Sequence, residues 1–142
     1  MTSKVNEVVE SFKGGFYCSQ AVLSTYCEDL GLDKQTALKV SCGLAAGMAR
    51  LSSTCGAVTG AYMVISLKYG SCSPNDREAT ERTFELIQEF DRRFIEKHGS
   101  TNCRELLGVD LRYGDKDIAG RQVKALCSGF VKDAAEILEG LI

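Results

Sequence analysis

The chain has 142 residues, a formal net charge of −2 and a pI near 5.5, a length suited to one domain that folds on its own hydrophobic core. No basic field exists for a nucleic acid and no basic amphipathic segment for a membrane surface, so neither is expected as a partner. The N-terminal stretch carries Glu7 and Glu10 among its apolar residues, which reads as neither a signal nor a transit peptide.

Val5, Val8, Val9 and Phe12 repeat at helical spacing up to Gly14-Gly15, an amphipathic first helix. A second helix is expected from Cys18 to Gly31, with Ala21, Val22, Tyr26 and Leu30 on one side. Asp33 caps a third, bearing Ala37, Leu38 and Val40. It runs into GLAAGMARLSS, read as an irregular loop or, over 43–49, as close-packed helix.

Residues 52–70, SSTCGAVTGAYMVISLKYG, organise the rest. No charge falls between Thr54 and Leu67, and Val58, Ala61, Met63, Val64, Ile65 and Leu67 point all round a helix, so helices must pack on several sides of it. Ser52, Ser53, Thr54, Thr59 and two glycines interrupt the uncharged run from Leu51 to Leu67, which argues against a membrane span. Gly56 and Gly60 let a neighbouring backbone approach closely, and the hydroxyl residues before Cys55 are available as an N-cap.

Ser73-Pro74 reads as the start of a long helix that ends at His98-Gly99, with Phe84, Leu86, Ile87, Phe90, Phe94 and Ile95 as its apolar stripe. Asn102 caps a short helix beginning at Cys103. A last helix, from about Asp115 to Leu141, carries Val123, Leu126, Cys127, Phe130, Ala134, Ile137, Leu138 and Leu141. No alternation of β period, internal repeat or linker occurs, so the expected architecture is all-α: a single-domain helical bundle, residues 1–142, of five or six helices around the helix at 54–69.

Seven cysteines cannot all pair within one molecule, and in the reducing cytoplasm expected for this chain they would stay thiols. No C-x-x-C pair occurs, which removes the thioredoxin, zinc-ribbon, local ferredoxin and c-type haem motifs. Any shared site must be assembled from distant segments. Cys18, Cys55 and Cys103 each fall at the expected start of a helix, where free amide N–H groups and the helix dipole favour thiolate. Against this stands plain burial of small apolar residues.

Cys27 is half a turn around the helix from Cys18 and reads as packing, Cys72 as exposed, and Cys42 as a neighbour that could approach through the Gly43 loop. Arg50 reads as solvated rather than as a charge that activates Cys55. His98, the sole histidine, suits a helix C-terminus better than a metal site. One histidine so placed supports no Ser-His-Asp triad, and GLAAGMARLSS lacks the ending of a phosphate loop.

The segments CSQAVL (18–23), CGAVTGA (55–61) and NCRELLG (102–108), with Cys127 in the last helix, resemble the family of redox-active proteins named for a C-GCAxxG-C-C pattern. The resemblance spans nearly the whole chain. It implies a prokaryotic protein related to a domain of split-Soret haem proteins, whose haem-binding part has no counterpart here, so no haem is expected. It also implies that Cys18, Cys55, Cys103 and Cys127 form the functional set, while Cys27, Cys42 and Cys72 lie outside it. The expected activity is thiol/disulfide or electron transfer with an unidentified redox partner, with Cys55 as the attacking thiolate. The same four cysteines could instead hold zinc or an iron–sulfur cluster. A third reading is a helical interaction protein whose cysteines only pack. The apolar central helix and the two-faced long helix leave room for a homodimer.

Overall fold

A computed structural model describes the backbone of residues 2–113 and 116–142 and the side chains of residues 2–113 and 123–142. The chain is all-α in a single domain, and no strand occurs among the described residues. The helices are α1 (Val5–Lys13), α2 (Cys18–Tyr26), α3 (Lys34–Cys42), a one-turn segment α4 (Ala45–Ala49), α5 (Gly56–Tyr69), α6 (Arg77–His98), α7 (Cys103–Leu107) and α8 (Lys116–Leu141). A 3-10 turn, Glu28–Leu30, follows α2 and ends at Gly31, whose φ of 87° is left-handed. The expected start of the last helix at Asp115 lies outside the described residues.

Helix α5, uncharged as far as Leu67, is the centre of the bundle, as its lack of a polar face requires. It packs against α2, α6 and α8, while α1 lies on α8 and α2, and α3 on α2. Val58, Val64 and Ile65 are fully buried, and each such side chain contributes about 1.5–3 kcal/mol. No helix among the described residues is long and apolar enough to cross a membrane.

The α2–α5 contact is the most extensive among the described helices, and Gly60 sets its depth. A Cβ there would lie 2.9 Å from Ser19 O and 3.0 Å from Val22 Cβ, so only glycine lets the two backbones close to this distance. Hydrogen bonds then tie the outer helices to this pair. Glu139 Oε2 on α8 accepts from the Tyr26 hydroxyl at 2.6 Å and from the Lys4 backbone N–H at 2.8 Å, linking α1, α2 and α8 through one carboxylate.

Three local expectations are corrected. The long helix begins at Arg77 rather than Ser73, because Asp76 caps it through the Ala79 N–H at 3.2 Å. Ser73–Asp76 instead form a turn, closed by Asp76 N–H to Ser73 O at 3.2 Å. On α6 the buried line is Thr83, Phe90 and Phe94, with Phe84 and Ile95 exposed to either side. Leu126 on α8 is likewise exposed.

No hydroxyl side chain caps α5. Its N-cap is Cys55 itself, with the Cys55 N–H donating to Thr101 O at 2.8 Å. The segment after α3 is neither an irregular loop nor a continued α-helix. It is a left-handed turn, and it stands beside the cysteines.

Candidate functional site: a buried thiol cluster under a left-handed turn

Local signals place three of the cysteines at helix starts. Cys18 is the first residue of α2, whose N-cap Tyr17 donates its N–H to Gln20 Oε1 at 3.1 Å. Cys55 is the N-cap of α5, and Cys103 opens α7 behind Asn102, whose Oδ1 accepts from the Glu105 N–H at 3.1 Å. Cys127 stands within α8 and is half-buried.

The bundle brings these four segments together at one end of α5. The space a side chain on Gly56 would need is filled by Cys18 Sγ, so the α2 thiol lies on the first turn of α5, next to Cys55. Charge on Cys18 bears on Cys55, Cys103 and Cys127 alike, while Cys103 bears on Cys127 and Cys127 on Cys55. Cys18 is thus the hub of the set. Cys27 is elsewhere: fully buried, with its thiol donating to Ser24 O at 3.4 Å. Cys42 and Cys72 are exposed.

Burial reverses the electrostatic expectation drawn from helix ends. Cys18, Cys55 and Cys103 are 7%, 6% and 6% exposed. Burial pushes the Cys18 thiol up, against the pull of the backbone N–H groups of Ala46, Ser19, Cys18 and Gly56. Burial also raises Cys55, helped by the neighbouring Cys18 and opposed by the Ala57 and Val58 N–H groups. Cys103 is pushed up to about 11, first by burial and then by Cys18 and Asp110. Cys127 reaches about 12 through burial, Cys18 and Cys103. Helix-end amides reduce the desolvation penalty without overcoming it, so the resting cluster is protonated at neutral pH. Arg50 is exposed and is not among the charges acting on Cys55.

The segment that sequence reasoning missed is the turn covering these thiols. Five consecutive residues, Ala46 to Arg50, have φ of 56°, 67°, 66°, 53° and 64°, and Ser52 has φ of 55°. This is a left-handed helical turn, closed by Arg50 N–H to Ala46 O at 3.0 Å and Leu51 N–H to Met48 O at 2.9 Å. Each non-glycine residue in such a turn costs about 1–2 kcal/mol. Contacts onto the site hold it. Gly47 packs so closely that a Cβ would lie 2.7 Å from Cys103 Cβ and 2.9 Å from Ser52 Cα. Ser53 donates to Gly47 O at 2.8 Å and accepts from the Cys103 N–H at 2.6 Å. An antiparallel bridge between Thr54 and Asn102, and Leu111 N–H to Ser52 Oγ at 2.7 Å, complete the join between the starts of α5 and α7. Small residues around Gly47 were the only hint of this in the sequence.

Four thiols are a soft donor set of the kind zinc and iron–sulfur clusters use. Among the described residues, however, no three His, Cys, Asp or Glu side chains are gathered closely enough to hold one metal ion. The arrangement as it stands does not fit a resident metal. His98, also considered as a ligand, packs between Phe94 and Phe130, with ring centroids at 4.7 and 5.0 Å. Its Nε2 lies 2.9 Å from Asp133 Oδ2 but is not aligned for a hydrogen bond.

The family model for "Putative redox-active protein (C_GCAxxG_C_C)" matches residues 16–141. The chain belongs to this family. No curated protein and no solved structure matches it. In this C_GCAxxG_C_C protein the CGA element at 55–57 is the turn of α5 on which Cys18 rests, so the glycine after the cysteine has a steric role. The cysteines at the starts of α2 and α7 and within α8 flank that turn.

Proposed function

We propose that this C_GCAxxG_C_C protein is a thiol/disulfide redox protein whose working set is Cys18, Cys55, Cys103 and Cys127, with Cys18 and Cys55 as the first pair to oxidise. The observation that carries this reading is the seating of Cys18 Sγ on Gly56, on the first turn of α5 beside Cys55.

The chemistry follows from crowding. Four buried thiols cannot ionise together, because each thiolate raises the cost of the next. Losing the protons as a neutral disulfide removes that repulsion. In the forward step one thiolate of the pair attacks a sulfur of an external disulfide, forming a mixed disulfide and releasing one thiol. The other thiolate then attacks the protein sulfur of that mixed disulfide, forming Cys18–Cys55 and releasing the second thiol. The protein loses two electrons and two protons, and the external disulfide gains them. Sequence position suggests Cys55 as the attacking sulfur, with Cys18 as the sulfur that resolves the mixed disulfide.

The test counts free thiols before and after mild oxidation by a small disulfide and maps any bond by peptide mass spectrometry. Loss of two thiols with a Cys18–Cys55 bond is expected, absent in both Cys18→Ser and Cys55→Ser. An unchanged thiol count would overturn the reading. So would one iron or zinc per chain, with no disulfide formed, after purification without oxygen.

A further inference from the structure

Three of the four thiols are at most 7% exposed, so no outside molecule meets them unless a covering segment moves. The candidates for movement differ sharply. Helices α2 and α5 are locked together at Gly60, where the Ser19 carbonyl and Val22 side chain leave no slack. The turn over the thiols is held differently. Every non-glycine residue of the described chain with positive φ lies in it: Ala46, Met48, Ala49, Arg50 and Ser52. Its inward face lies on the site, with Gly47 against Cys103 Cβ and the Ala46 N–H close enough to oppose the rise of the Cys18 pKa. Its outward face is in solvent, with Arg50 and Leu51 exposed. Backbone strain of this kind is retained only while packing over-determines it, and it is released when the segment lifts.

We propose that the left-handed strap from Ala46 to Ser52 is the gate of the thiol site, lifting from Cys18 and Cys103 to admit a reaction partner and re-seating on Gly47 when it leaves. Exposed Gly43 at one end and the Thr54–Asn102 bridge at the other mark where the movement stops. The strained conformation keeps the opening cost low, since part of the packing lost on lifting is returned as relaxed φ angles. Gly47 is the residue that lets the gate shut. At φ of 67° and 2.7 Å from Cys103 Cβ, a methyl group has no place in the closed state.

This inference rests on the reading that the thiols act on an outside partner. The test labels the full-length chain with an aromatic disulfide reagent. Exposed Cys42 and Cys72 are first changed to serine, and the rate at each remaining cysteine is read by mass spectrometry. Cys27, buried outside the strap, is the internal control. Gly47→Ala should accelerate labelling of Cys18 and Cys103 about tenfold, because the strap cannot seat. Ala49→Gly should slow it about threefold, because glycine accepts positive φ without strain and so favours the closed strap. In both variants the rate at Cys27 should stay unchanged.

Labelling of Cys18 and Cys103 at the parental rate in both variants would overturn the gate. A change at Cys27 in parallel with them would also do so, since it would mean general loosening of the fold. If Gly47→Ala does not fold, Ala49→Gly decides alone, against the same control. Gated labelling in a protein that forms no disulfide on oxidation would instead sink the thiol/disulfide reading and leave the gate standing.

Discussion

Cys18 Sγ occupies the space that a side chain on Gly56 would fill. The thiol of α2 and the first turn of α5 are therefore one packing unit, and the glycine of the CGA element is required by sulfur rather than by backbone conformation. A Gly56→Ala chain must move that sulfur, and its new methyl would also press on Leu44 O and Ser19 N at 3.2 Å. Overpacking of this kind costs about 1–3 kcal/mol, and urea unfolding should show it. The same variant should lose the Cys18–Cys55 disulfide on mild oxidation. A variant that keeps the parental midpoint and the bond would show that Cys18 is not seated there.

Gly60→Ala separates packing from chemistry. Its methyl would meet Ser19 O at 2.9 Å and Val22 Cβ at 3.0 Å, one turn away from the thiols. A loss of about 1–3 kcal/mol is expected, with disulfide formation by Cys18 and Cys55 retained. Loss of the bond in this variant would mean that the α2–α5 spacing, and not Gly56 alone, sets the sulfur geometry.

The thiols give stability a defined dependence on alkaline pH. Cys103 and Cys127 are raised from 9.0 to about 11 and about 12 in the fold. Above pH 9 the unfolded chain releases these protons first and binds fewer of them than the native state, so stability falls as pH rises. The contribution is complete below pH 9 and is lost progressively towards pH 11–12. Each thiol supplies a slope of up to about 1.4 kcal/mol per pH unit. Denaturant unfolding between pH 8 and 11 should show this decline. It should be shallower in Cys103→Ser, where one of the raised groups is gone; identical slopes would remove Cys103 from the buried set.

Tyr26→Phe tests the carboxylate that joins three helices. The Tyr26 hydroxyl donates to Glu139 Oε2 at 2.6 Å from a position where burial pushes its own pKa up, with Glu139 adding to the shift. Hydrogen bonds to charged groups contribute about 1.5–3 kcal/mol. A loss in that range is expected by thermal or urea unfolding, with thiol reactivity at Cys18 unaffected, because the bond lies between α2 and α8 away from the cluster. A variant as stable as the parent would show that water replaces the phenol without cost.

Much of this protein is written locally. An uncharged run around Val58, Val64 and Ile65 can only be a buried helix, Asp33 and Asn102 announce the helices they cap, and Gly56 and Gly60 announce a close approach. The cysteine positions at the starts of α2, α5 and α7 were legible for the same reason, since capping and periodicity act within a few residues. Where several local signals competed, the closest read was off by a turn, as at Ser73, where the Asp76 carboxylate is the stronger cap.

Tertiary structure decided the rest. The direction of the thiol pKa shifts depends on how much water distant segments exclude: the helix-end amides are local, but the burial that outweighs them exists only in the folded bundle. The left-handed turn at Ala46–Arg50 is decided in the same way. Four L-residues adopt positive φ there against their own preference, because Gly47 must lie on Cys103 and Ser53 must join Gly47 to α7. Local preference opposes that conformation, and only contacts made across more than fifty residues of chain can hold it.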